Sequence, residues 1–278
     1  MDKNCIIRID SPDEKGLIYK ITKILYENNL NIVSNGEYVD NETNHFFMRT
    51  EISGDFDNDK IYNEIKSILP ENAKIKFSKP EKKRVVLLAT KEHHCLGDLL
   101  IKNQYNEFNI EILAVISNYS SLKDLVDKFN IPFITISHEN LEREDHEKLI
   151  IEKIKELNPE YIVLAKYMRI LTPTFVSAFP EEIINIHHSF LPAFIGANPY
   201  KQAYERGVKL IGATSHFVNN DLDDGPIITQ EVISINHTYN AQTMRKAGQE
   251  VEKIVLAKAL KLVFEERVFL NNNKTIIL

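Results

Sequence analysis

Cysteine is nearly absent: Cys5 and Cys95 are the only two in 278 residues, and no paired spacing links them. A disulfide-built scaffold and a thiolate metal centre are thereby excluded, and a reducing compartment fits. There is no excess of positive charge. With 34 Lys and Arg against 40 Asp and Glu, the net charge is -6, and nothing suggests a nucleic-acid partner, which would require a basic face. No apolar run reaches the ~20 residues of a membrane span. The first residues turn polar within four positions and lack the apolar centre of a secretion signal. A cytoplasmic protein without a membrane partner is the expectation. Catalytic signatures are missing too. There is no His-x-x-x-His, no Gly-x-Ser-x-Gly elbow around a nucleophilic serine, and no Gly-x-Gly-x-x-Gly in the first βα turn of the pattern below.

What is present is a well-patterned chain, 43% apolar and 27% charged, whose length suits two domains. Residues 1–80 carry one rhythm. Cys5-Ile-Ile-Arg-Ile9 reads as a strand, and Leu17, Ile21, Ile24 and Leu25 recur at helical spacing. Two further strands flank the turn Asp40-Asn-Glu-Thr-Asn44, a helix follows around 61–69, and a last strand at 73–77. The order is βαββαβ, the ferredoxin-like split arrangement. A polar stretch with one proline, Ser78 to Arg84, is a linker.

The rhythm changes from residue 84 to 278. Apolar strands at 85–89, 110–116, 132–136, 161–165 and 183–187 alternate with helical patterns at 96–105, 121–128, 141–156 and 173–179. Two more β segments, 209–218 and 227–235, precede a long helix from Ala241 to about Glu266 that is expected to bury Val251, Ile254, Val255 and Leu262. Such alternation predicts an α/β fold with a mostly parallel, doubly wound, Rossmann-like sheet.

Polar residues interrupt this sheet at one strand end. In Ile183-Ile-Asn-Ile-His-His-Ser-Phe-Leu-Pro192, strand alternation places Asn185 and His187 on one face and His188 on the other. The pair sits at the carboxyl end of its strand, where open α/β sheets bind ligands. Asn219-Asn-Asp-Leu-Asp-Asp-Gly-Pro226 reads locally as a turn. An aspartate brought from it to His187 would hold the ring and favour the imidazolium. With the Asn185 amide, that set would stabilise the oxyanion formed when a nucleophile attacks an acyl carbon. None of the three is a good covalent nucleophile, so a water or a substrate amine would attack. A metal between His187 and His188 is disfavoured by their opposite directions. Ser189 lacks an elbow, and His188 is expected at the pocket rim or packed.

Asn185-Ile-His187-x-Ser189-x-Leu191-Pro192 followed by Leu222-Asp223-x-Gly225-Pro226 resembles the signature of folate-dependent formyltransferases and formyl hydrolases. Residues 165–171, Ala-Lys-Tyr-Met-Arg-Ile-Leu, are similar to that family's folate-binding strand end. The resemblance implies the catalytic set Asn185, His187 and Asp223, with Asp223 holding the imidazolium and helping to position or deprotonate water. It also implies folate binding by Met168, Arg169, Ile170, Leu171 and Leu222, with folate as substrate and neither cofactor nor metal.

Residues 1–80 resemble an ACT domain. That implies an amino-acid effector site around Asp10, Gly16, Leu17 and Asn31, with glycine or methionine as effector and homo-oligomers formed through this domain; a dimerisation platform without ligand is the alternative. With that domain in front and Arg267 to Leu278 as ending, the chain is similar to the subgroup that hydrolyses 10-formyltetrahydrofolate to formate and tetrahydrofolate, a reaction that supplies formate and balances one-carbon pools for purine synthesis. His188 fits that subgroup. One physical feature favours hydrolysis: Thr90-Lys-Glu-His-His-Cys-Leu-Gly97 is a poor phosphate cradle, having one late glycine and an acidic residue. Formyl transfer to an amine, or a non-catalytic folate sensor, remain the competing readings.

Overall fold

The computed structural model describes residues 3–193 and 199–278. They form two compact units. One comprises the residues up to Glu81 together with Glu265–Asn271 and Thr275–Leu278, the other Lys82–Phe264 with Asn272–Lys274.

The first unit runs β1 (Lys3–Pro12), α1 (Leu17–Glu27), β2 (Asn31–Asp40), β3 (His45–Gly54), α2 (Asn58–Ile68) and β4 (Lys74–Ser78). Its four strands pair antiparallel in the order β2-β3-β1-β4. The sheet is amphipathic. Ile7, Ile9 and Met48 face helices that contribute Leu17, Ile21 and Leu25 from α1 and Ile61 and Ile65 from α2. Gly16 starts α1 at φ 88°, a backbone conformation that favours glycine. The Asp57 carboxylate caps α2 by accepting from the Asp59 backbone N–H.

The second unit opens with β5 (Lys83–Ala89), α3 (His94–Gln104), β6 (Ile110–Ser117), α4 (Lys123–Asp127) and β7 (Phe133–Thr135). It continues through α5 (Arg143–Leu157), β8 (Tyr161–Leu164), α6 (Pro173–Ala178), β9 (Ile183–His187), α7 (Pro199–Arg206), β10 (Leu210–Phe217), β11 (Ile227–Ser234) and α8 (Ala241–Phe264). Seven strands stand in the order β11-β10-β9-β8-β5-β6-β7. The five from β9 to β7 are parallel, while β10 and β11 are antiparallel additions. The chain therefore starts in the middle of the sheet at β5, winds to one edge, and returns to build the other half from β8. The carboxyl ends of β5 and β8 form the switch point where such sheets take ligands. Thr90 and Met168, just beyond those two strands, are tied by a bond from the Met168 N–H to the Thr90 hydroxyl, at 2.9 Å.

Two expectations are corrected at the end of the chain. Helix α8 stops at Phe264, and Ile254 is 60% exposed, whereas Val251 and Val255 are buried; helical periodicity turns Ile254 away from the sheet. Beyond it, β12 (Val268–Asn271) and β13 (Lys274–Ile277) form a hairpin whose residues, save Asn272–Lys274, belong with the first unit and not with residues 84–264. The cause is side-chain chemistry. Glu266, 1% exposed, is held by Arg8 and Lys76, each at 2.8 Å. Phe269 packs edge-on against Phe47 and lies 4.2 Å below the Arg8 guanidinium.

Candidate active site

Strand β9 carries Asn185 and His187, and its neighbour β10 supplies a third polar group. Register pairs Asn185 with His216 directly across the antiparallel ladder, so the two side chains share a face. The Nδ1–H of His216 donates to the Phe217 carbonyl at 2.8 Å, leaving Nε2 as the acceptor for the Asn185 amide N–H at 3.2 Å. The Asn185 amide is thereby oriented: one N–H is used by His216 and the second is free for a substrate. Burial depresses the His216 pKa, which outweighs the bond to Phe217 and the nearby Asp223 carboxylate and keeps the ring neutral.

The 219–226 loop folds back over this face. Asp223 Oδ1 lies 3.2 Å from His187 Nδ1 and 3.9 Å from His216 Nε2. Asp223 adopts φ 56°, a left-handed conformation that Asp and Asn tolerate better than most residues. Gly225 is required for a different reason: a Cβ there would stand 1.8 Å from the Phe217 carbonyl oxygen. Burial works against ionisation of Asp223, but the hydrogen bond and charge of His187 prevail and its pKa is lowered. His187 is 5% exposed, and its Nε2, on the side away from Asp223, is buried with no hydrogen-bond partner among the described residues.

These groups line one cavity of about 750 Å³. Met168, Arg169, Ile170, Leu171 and Leu222 line it as well. Met168, Ile170 and Leu222 are each more than half exposed, an apolar cluster at a cavity mouth of the kind that receives a flat hydrophobic ligand. The strap they ride on is fixed from behind. Glu147, 3% exposed, accepts from the Thr172 backbone N–H at 3.1 Å and from its hydroxyl, and Arg143 donates to the Ile170 carbonyl.

His188 departs from strand alternation, not from its expected place at the pocket. Strand β9 ends at His187, so strict alternation ends there too, and His188 lines the same cavity with its ring stacked on His187, centroids 5.2 Å apart and planes 21° apart. Ser189 is buried and donates to the Ala193 carbonyl at 2.7 Å, which ties it to its own loop. His94, Lys166, Tyr200 and Glu252, none of which the sequence had singled out as a group, form a buried network. Glu252 accepts from Tyr200 at 2.6 Å and His94 at 2.8 Å, with the Lys166 ammonium at 3.1 Å. Burial opposes its charge, yet these donors hold its pKa down to about 2. His94, Cys95 and Glu252 have the spacing of metal ligands, but Lys166 already supplies the positive charge beside that carboxylate.

In the first unit, the implied effector residues have distinct environments. Asp10 lies within β1 and its carboxylate is bonded to His45. Leu17 is 2% exposed in the unit's core, so its side chain is committed to packing and only its backbone could meet a ligand. Asn31 is exposed at the start of β2.

Comparison with known proteins agrees with this geometry. Residues 83–260 match the model of the formyl transferase family, and residues 6–70 that of the ACT domain. A formyltetrahydrofolate deformylase of Haemophilus influenzae is 57% identical over 273 residues, 98% of each chain. That of Escherichia coli K12 is 54% identical over the same span, again 98% of each. The chain belongs to the formyltetrahydrofolate deformylase family. A crystal structure of a formyltetrahydrofolate deformylase from Pseudomonas syringae superposes with a TM-score of 0.95 at 37% identity, covering 100% of this chain and 95% of that one. The deformylase family thus accounts for both units, an ACT domain and a formyltransferase fold. No helix among the described residues is long and apolar enough to cross a membrane.

Proposed function

We propose that the protein hydrolyses 10-formyltetrahydrofolate to formate and tetrahydrofolate. The observation that carries this reading is the convergence of Asn185, His187 and Asp223 on one wall of a cavity whose mouth is apolar. The pteridine would rest against Met168, Ile170 and Leu222, with its edge near Arg169 and Leu171, and the N10-formyl group would face Asn185 and His187. As water adds to the formyl carbon, the free N–H of Asn185 and the His187 ring stabilise the oxyanion. Asp223 holds that ring and stabilises the positive charge it carries. When the carbon–nitrogen bond breaks, N10 takes its electron pair and a proton from His187.

Water, and not a phosphorylated amine, is the acceptor this cavity suits. Glu92, in the stretch after β5 that lacks a glycine-rich cradle, stands on its wall bound to Arg245 at 2.6 Å, an acidic group unsuited to a phosphate. Burial opposes its charge, but Lys166, Arg245 and His94 lower its pKa and keep it anionic. No metal or cofactor is required by this scheme. In the first unit, glycine or methionine would bind by way of Asp10, the Gly16–Leu17 backbone and Asn31. Ile32, Val33 and Tyr38 on the edge strand β2 are exposed, a surface suited to homo-oligomer formation. The protein would act in the cytoplasm, supplying formate and balancing one-carbon pools for purine synthesis.

The test is a direct assay of formate release from 10-formyltetrahydrofolate. Stoichiometric formate and tetrahydrofolate are expected, with no dependence on added metal. Formyl groups accumulating on an added amine in preference to formate would establish the transferase reading instead.

A further inference from the structure

The deformylase chemistry proposed above requires the attacking water to be held and to lose a proton; Asn185 and His187 serve the oxyanion, and Asp223, which could help to position that water, is bound through Oδ1 to the His187 ring and has its pKa lowered. We propose that His188 is a second catalytic imidazole, which binds the attacking water and takes its proton as the new carbon–oxygen bond forms.

Four observations carry this inference. His188 lines the same cavity as His187, and the near-parallel rings place its centroid 5.2 Å from that of the group assigned to the formyl centre. No hydrogen bond from the described residues reaches either of its ring nitrogens, whereas His94, His146, His187 and His216 in this unit each have at least one polar partner. The ring is fixed without polar contacts, between His187 and the Tyr200 ring at 6.2 Å, so its nitrogens remain available. Finally, its surroundings keep the ring neutral at neutral pH: burial, then the Lys166 ammonium, lower its pKa to about 4, and His187 adds to this while Glu252 and Glu92 oppose it, which leaves a weak base that acts through its position against the formyl centre. A neutral imidazole beside one that carries charge in the reaction separates base from acid on adjacent residues.

The buried network gives this arrangement its direction. Glu252 fixes Lys166, Tyr200 and His94, and Tyr200 in turn packs on His188. The wall facing the formyl group is thus a set of committed side chains plus one free imidazole, which suits a small acceptor. The water oxygen bonds to the formyl carbon, the carbonyl electron pair moves to oxygen, and one water proton passes to His188. Collapse re-forms the carbonyl and breaks the bond to N10, which takes its proton from His187. The formic acid released ionises, returning a proton to His187, and His188 gives its own to solvent.

Because this inference rests on the hydrolase reading, its test compares two acceptors. Wild-type protein and the His188→Ala variant are given 10-formyltetrahydrofolate in water, and again with hydroxylamine, a strong nucleophile that needs no base. The variant is expected to lose a hundredfold or more of formate release, the usual scale for a general base, with KM within about twofold. It should make formyl hydroxamate at the wild-type rate, and added imidazole should restore formate release. Formate release within about threefold of wild type overturns the role of His188. Parallel loss of formate and hydroxamate overturns it also, since that marks a structural position. If the wild-type protein itself makes no formate, the hydrolase reading fails first, and the two failures are distinguishable.

Discussion

Replacing Asp223 by Asn changes charge while preserving nearly everything else. The side chain keeps its shape, and Asn is among the residues that accept the φ of 56° found here, so the loop should hold. What is lost is the attraction between a carboxylate and the His187 ring at 3.2 Å. At the effective dielectric of about 20 that suits partly buried pairs, this is about 5 kcal/mol. An amide also leaves the ring without an anionic partner, so His187 no longer holds the positive charge with which it stabilises the oxyanion and protonates N10. Turnover should fall by roughly 10³–10⁴, with binding of a tetrahydrofolate analogue and thermal stability close to wild type. The measurement is formate release as a function of pH. In the wild type, acidification removes activity first as His188 takes up a proton near its pKa of about 4, and a further limb lies below the ordinary carboxylate range, where Asp223, whose folded-state pKa is lowered, is protonated and mimics the variant. The Asn variant should lack that limb. Turnover within tenfold of wild type, with the limb unchanged, would refute the assignment.

Asn185→Ala removes the oxyanion donor and should cost about 3–4 kcal/mol of transition-state stabilisation, read as a loss in kcat with little change in folate affinity. Glu252→Ala strands a buried ammonium and should destabilise the second unit by about 3–5 kcal/mol, seen as earlier thermal unfolding. Glu252 also sets an acid limit. With its pKa held at about 2, it contributes roughly 3 kcal/mol that is fully present above the unfolded-state value near 4.5 and lost as pH falls toward 2; Glu252→Gln should flatten that loss in acid unfolding curves. Calorimetry with a panel of amino acids should show glycine or methionine binding, and Asp10→Ala should abolish it; a flat trace for the whole panel would leave the first unit as a pairing surface.

Local rules settled much of this protein in advance. Continuous apolar strands between helices specified a parallel sheet, and period-two alternation put Asn185 and His187 on one face at a strand end, because side-chain direction in a strand depends only on residue parity. The motif around Leu222, Asp223 and Gly225 marked the loop that closes on them. Alternation failed for His188 because the strand stops one residue earlier, a boundary fixed by hydrogen bonds to neighbouring strands. His216 became part of the site only through the antiparallel register that sets it opposite Asn185, and register belongs to a pair of strands. Glu252, on a helix far along the chain from Lys166 and His94, was unreadable for the same reason: its low pKa and its role exist only once three distant donors are buried with it. Sequence determined which faces would be polar. Packing decided which of those polar groups meet.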